Sequence, residues 1–177
     1  MIQNRSEQEK QMLFLCYDAR GQIMQQSIEM EKLIEYYIAG KFLEDENKKI
    51  EFIITIIAPH VIFSKKIEIF IHLVEKYDSW FNDKYNGITG RLTSLRDERN
   101  RFAHWPLDFS DIALTDFIER KGITLVRLKS VKAKDGEDPL SVDRHLYLVD
   151  GIKRVLAEMK IICKALQELT KMKDPSH

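Results

Sequence analysis

Residues 149–167 read VDGIKRVLAEMKIICKALQ, and their apolar positions decide the fold class. Val149, Ile152, Leu156, Met159, Cys163 and Leu166 follow one another at alternating steps of three and four. That spacing puts all six on one side of an α-helix. Ser141 stands where it could cap this last helix. A helix with one greasy stripe must bury it against another element.

The same signature recurs toward the N-terminus. From Gly87, the positions Ile88, Leu92, Leu95, Arg99 and Phe102 run at steps of four, three, four and three. Pro106 biases Trp105 away from helical geometry, so this helix is predicted to end near His104. Ser64 is the expected N-cap of a helix whose apolar face is Ile67, Phe70, Ile71, Val74 and Tyr77, with Lys65, Lys66, Glu68, Glu75 and Lys76 outside it. Trp80 to Asn86 reads as a helical turn. Another helix is expected from near Asp45 to about Ile57, where Pro59 ends it. Residues 6 to about 40 read as one long helix, with Leu13, Cys16, Ile23, Met30, Ile34 and Tyr37 on its buried face. Ser6 with Glu9 forms a candidate capping box, and Gly40 a C-terminal stop.

Residues 107–140 differ. Ile123 to Leu128 is β-branched, alternates at its end and reads as a strand, with Ile112 to Phe117 as a less regular candidate partner. Residues 134–139 form a polar loop, and Lys129, Lys132 and Lys134 make the hairpin either a solvated loop or an RNA-contacting arm. The expected fold class is therefore all-α (mostly). It is an up-and-down helical bundle of one domain over 1–177, with a small β-hairpin inserted at about 107–140 between the Gly87–His104 helix and the last long helix. Seven glycines and four prolines are too few for a strand-and-turn architecture.

Hydrophobic residues at 44% and charged residues at 32% fit a globular chain with a charged surface rather than a disordered one. Lys plus Arg equals Asp plus Glu, 28 each. A neutral chain is not a general sink for nucleic acid, so any RNA must be held by a local basic patch. Cys16 and Cys163 each fall on an apolar helical stripe and read as small core residues. The first ten residues lack the apolar core of a signal peptide. The greasiest run, Ile50 to Phe63, is too short and too interrupted to span a membrane, and a cytoplasmic setting is expected. His60, His72, His145 and His177 show no metal-ligand spacing, and neither a metal nor an organic cofactor is expected. Trp80 and Trp105 read as packing residues.

One feature of the Gly87–His104 helix does not fit a plain bundle. Arg99 stands where the stripe asks for an apolar residue. A guanidinium there is costly unless it is paired or reached by water. The bland alternatives are a snorkelling side chain or a core ion pair; the functional one is a stripe that opens onto a cleft. His104 lies five residues on, a turn of about 500°, which leaves the two side chains roughly 140° apart. They converge only if the helix unwinds near His104 or a second subunit completes the site. Arg96, Asn100 and His104, each four apart, form a polar row beside the stripe.

The run Arg99-Asn100-Arg101-Phe102-Ala103-His104 resembles the Arg-x4-6-His motif of the HEPN superfamily (higher eukaryotes and prokaryotes nucleotide-binding domains). The Asn after the Arg, the Ala before the His and the following Trp105-Pro106 are similar to bacterial members, as is a helical bundle with the motif late in one helix. The resemblance implies a metal-independent RNA endonuclease that acts as a toxin in a toxin–antitoxin pair, in phage defence or in RNA processing. It implies a homodimer whose two motifs face each other across one composite cleft, and it admits a nucleotidyltransferase-type antitoxin as partner. It also admits non-catalytic members that bind RNA or nucleotides, or serve as assembly modules. A purely structural helical protein with a core-paired Arg99 is the remaining alternative.

The residue types suit RNA cleavage by the 2′-hydroxyl. Histidine moves protons near neutral pH, which suits His104 to proton transfer. Arg99 can grip non-bridging phosphate oxygens bidentately as their charge grows. Asn100 can orient His104 or bond the phosphate. Arg96 and Arg101 are candidate RNA-backbone contacts or else solvated helix charges.

Overall fold

The computed structural model describes residues 5–130 and 140–171. The expected polar loop at 134–139, with Lys132 and Lys134, lies outside the described residues, as does His177. In chain order the elements are α1 (Glu7–Gly40), α2 (Glu46–Phe52), a π-helical stretch (Ile53–Ile57), α3 (Ala58–His60), α4 (Phe63–Tyr77), α5 (Ser79–Lys84), α6 (Ile88–His104), α7 (Asp111–Arg120), β1 (Gly122–Ser130), β2 (Leu140–Leu148) and α8 (Val149–Lys171). The chain is mostly helical. Among the described residues there is one two-stranded antiparallel sheet, placed in chain order between the motif helix α6 and the last long helix α8, as the sequence predicts. Among the described residues no helix is long and apolar enough to cross a membrane.

The described residues form two compact units, one from 5–24 with 100–155 and one from 25–99 with 156–171. The second unit is a helical bundle. Met30 and Ile34 of α1, Phe70 and Val74 of α4, Phe81 of α5, Ile88 and Leu92 of α6 and Met159 and Leu166 of α8 are all buried. Each such side chain contributes roughly 1.5–3 kcal/mol by leaving water. Polar ties cross this core. Gln167 donates to Glu29 at 3.1 Å, the Tyr37 hydroxyl donates to Asp78 at 2.5 Å, and Arg91 pairs with Glu158.

Lys66 corrects the sequence reading most sharply. Expected outside the α4 face, its side chain is only 2% exposed, with Nζ 2.5 Å from carboxylates of both Glu31 and Glu35 on α1. Burial works against its charge, but the two carboxylates outweigh burial and hold its pKa above the ordinary lysine value. Tyr77, expected inside, is instead 54% exposed.

Local chemistry explains most boundaries. The Ser6 N–H donates to Glu9 at 2.7 Å and the Glu9 N–H to the Ser6 hydroxyl at 3.3 Å, a capping box at the start of α1. One turn on, Met12 rather than Leu13 is fully buried. Asp45 caps α2 by accepting from the Lys48 N–H at 2.9 Å. Pro59 was expected to end this helix at Ile57, yet helical geometry continues to His60. The backbone widens first: the Ala58 N–H reaches back five residues to the Ile53 carbonyl. A wider turn eases the clash of a proline ring with the carbonyl four residues before it. Ser64 is not the cap of α4; Ile62 holds that position without a side-chain bond, and Ser64 lies in the first turn.

The first unit holds the hairpin. Ile112 to Phe117 is not a strand but part of α7, capped by the Ser110 hydroxyl and ended by Lys121 in the left-handed region (φ 52°). The partner of β1 is β2, so Ser141 belongs to a strand and α8 begins only at Val149. Opposite residues on the face of interest are Ile123 and Tyr147, Leu125 and His145, and Arg127 and Asp143. Tyr147 packs on Phe102 of α6 with ring centroids 4.6 Å apart. Gly122 leaves space that no other residue would: a Cβ there would lie 2.9 Å from the Tyr147 carbonyl oxygen.

Candidate functional site

Phe102, Tyr147 and the chain after His104 fix the end of α6. The Trp105 N–H donates to the Arg101 carbonyl at 2.9 Å, an ordinary helical bond, so the helix does not unwind at His104. Of the two geometries expected to unite Arg99 with His104, the bent helix end is therefore absent. Beyond Pro106 the chain turns alongside β1. The Val126 N–H donates to the Pro106 carbonyl at 2.9 Å and the Asp108 N–H to the Thr124 carbonyl at 2.8 Å. Leu107 and Leu125 form a bridge between them. Arg20 of α1 donates from Nη2 to the Trp105 carbonyl.

These ties place four side chains around one open pocket of about 400 Å³: Asn100, His104, Trp105 and Arg127. Asn100 and His104 are four residues apart and share one row of α6. His104 and Arg127 are exposed, whereas Asn100 and Trp105 are half-buried. An imidazole, an amide, an indole and a guanidinium thus line one open recess. Together they offer a proton carrier, a neutral hydrogen-bonding group, an aromatic surface and a fixed positive charge.

The other predicted site residues stand elsewhere. Arg99 is half-buried on the α6 stripe, with its guanidinium carbon 6.0 Å from the centroid of the Phe63 ring. Arg96 donates from Nε and Nη2 to a single oxygen, Oδ1, of its neighbour Asp97, at 3.0 and 2.8 Å. Arg101 lies 5.9 Å from the Trp105 ring centroid. Asn100 and His104, counted from the sequence onto one row of α6, line the same pocket, whereas sequence reasoning does not single out Arg127 or Arg20. Strand alternation could have placed Arg127 on one face with Ile123 and Leu125. No local signal marks Arg20, because its partner is 85 residues away.

Beside this pocket, Asp108 anchors the segment after Pro106. It accepts from the Ser110 N–H at 2.9 Å and from Arg144 at 3.0 Å. Burial pushes its pKa up, but the Ser110 and Arg144 bonds outweigh burial and leave the carboxyl below its ordinary value. Cys16 and Cys163 are buried, as expected. Burial raises both thiols, Cys163 to about 12, so neither is a thiolate nucleophile at neutral pH. His72 and His60 are exposed, and His145 lies 4.4 Å from the Tyr147 ring centroid. Among the described residues no group of three or more His, Cys, Asp or Glu is placed to hold a metal ion.

No family model, curated protein or solved structure matches the chain.

Proposed function

We propose that this chain is a metal-independent RNA endonuclease of the HEPN type, acting in the cytoplasm as a toxin or phage-defence component. One observation carries the reading: Asn100 and His104, two members of the Arg99–His104 run, line the same open pocket beside an arginine.

The proposed reaction starts from the RNA itself. The 2′-hydroxyl oxygen attacks the adjacent phosphorus and the bond from phosphorus to the 5′-oxygen breaks. The attacking hydroxyl loses a proton and the leaving 5′-oxygen gains one. His104 takes or gives that proton. Asn100 holds the imidazole or a phosphate oxygen. Arg99 stabilises the charge that grows on the phosphorane. By ideal helical geometry, five residues leave Arg99 about 140° from His104, so the proposed site takes the pair from a homodimer, with His104 of one copy facing Arg99 of the other. Arg96 and Arg101 serve as contacts to the RNA backbone. A nucleotidyltransferase-type antitoxin is the partner that the family resemblance admits.

The test is incubation with single-stranded RNA in excess chelator, followed by analysis of the new ends. The expected products carry a 2′,3′-cyclic phosphate and a 5′-hydroxyl. Cleavage that stops with chelator, or leaves 3′-hydroxyl ends, overturns the mechanism. Binding of RNA without any product leaves a non-catalytic RNA-binding module in its place.

A further inference from the structure

The pocket holds an arginine that the Arg99–His104 run does not contain. Arg127 reaches the lining from β1, whereas Asn100 and His104 come from α6. Its placement has a backbone cause. The Val126 N–H is bonded to the Pro106 carbonyl, which ties the residue next to Arg127 to the residue next to Trp105. Alternation along β1 then turns Arg127 to the side of Ile123 and Leu125. That is the side on which Tyr147, opposite Ile123, packs against Phe102 of α6.

A chain with zero formal net charge must hold a polyanion by local cations. An exposed guanidinium beside an imidazole in an open recess is such a point. Its planar fork matches two phosphate oxygens, which an ammonium cannot do. We infer that Arg127 is a phosphate-holding residue of the His104 pocket, gripping the non-bridging oxygens of the RNA phosphate that lies there. This assignment rests on the ribonuclease reading and adds to it a substrate contact from the hairpin. Arg127 transfers no proton; it binds the phosphate and stabilises the charge that develops as the 2′-oxygen attacks.

The experiment uses the full chain carrying Trp80→Phe, so that Trp105 is its sole tryptophan. Single-stranded RNA with 2′-O-methyl groups, which cannot be cleaved by this chemistry, is titrated while Trp105 fluorescence is followed. Cleavage of ordinary RNA is measured in parallel. Arg127→Gln is expected to weaken binding about tenfold and to lower the salt slope of log Kd by about one phosphate contact. Arg127→Lys is expected to restore the salt slope but only part of the cleavage rate. Because both variants change an exposed strand residue, unchanged thermal unfolding checks that the fold is kept. If wild type cleaves and Arg127→Gln binds and cleaves equally well, Arg127 has no such role, while the ribonuclease reading stands. If wild type binds without cleaving and Arg127→Gln loses binding, the phosphate role stands and the nuclease reading falls. If wild type neither binds nor cleaves, both fall together.

Discussion

Arg20 donates from Nη2 to the carbonyl oxygen of Trp105, a side-chain bond that ties α1 to the first residue beyond α6. The last carbonyls of a helix have no partner within it. A charged donor that supplies one is worth about 1.5–3 kcal/mol. Arg20→Met keeps the side chain's length and removes the donor. It is expected to lower unfolding stability by that amount and to change the near-ultraviolet circular dichroism of Trp105. Unaltered stability and spectrum would show that the end of α6 holds without Arg20.

His104→Ala and Arg99→Ala are each expected to reduce RNA cleavage by about 10²–10⁴-fold. His104 is exposed, so its variant should unfold within about 0.5 kcal/mol of wild type. Mixed and reannealed, the two inactive variants are expected to regain measurable cleavage, since a mixed dimer pairs an intact His104 with an intact Arg99 from the other copy. Full activity in both single variants would end the assignment, and failure to complement would end the composite cleft.

Lys66 and its two carboxylates make a buried cluster in which removing one partner strands another. Lys66→Met is expected to cost about 3–5 kcal/mol in chemical denaturation, because Glu35 is left buried and charged. Adding Glu35→Gln should recover much of that loss. The lysine pKa is raised in the folded chain, so its contribution is complete below the unfolded value and is lost only as pH climbs through the folded one. Stability between pH 6 and 9, roughly, should therefore be insensitive to this group. A Lys66→Met chain as stable as wild type would contradict the account.

Asp108 gives the opposite dependence. Its folded pKa is lowered, so its contribution is present above the ordinary carboxylate value, about 3.9, and is lost as pH falls through the folded value. Asp108→Asn is expected to cost about 1.5–3 kcal/mol at pH 7 and to flatten the loss of stability between about pH 4 and 2. Parallel curves for variant and wild type over that window would show that the Arg144 and Ser110 bonds do not act through the charge.

Periodicity made the long helices legible. Ile88, Leu92, Leu95 and Phe102 are buried as their spacing requires, and so are Ile152, Met159, Cys163 and Leu166 of α8. The errors arose where long-range contacts outweigh local pattern. Residues 112–117 are a short run in which Ala113 is buried while Ile112 and Thr115 are exposed, and only the Ser110 cap marks them as helix. Residues 141–148 read from the sequence as the cap and start of the last helix, because their strand character depends on pairing with β1. Lys66 is polar by composition and buried by its partners on α1. At the candidate site, the α6 row of Asn100 and His104 could be counted from the sequence. Arg127 could not, since it arrives through the register of β1 against Pro106 and Leu107.

The register of β1 is held along both its edges, by β2 on one side and by Pro106 to Asp108 on the other. A strand held twice resists slipping, and a slip of one residue would turn Arg127 away from the pocket. Lengthening or shortening the sequence between Ser130 and Leu140 should then leave Arg127 in place. The segment between the strands can therefore vary in length and composition without moving Arg127 out of the pocket.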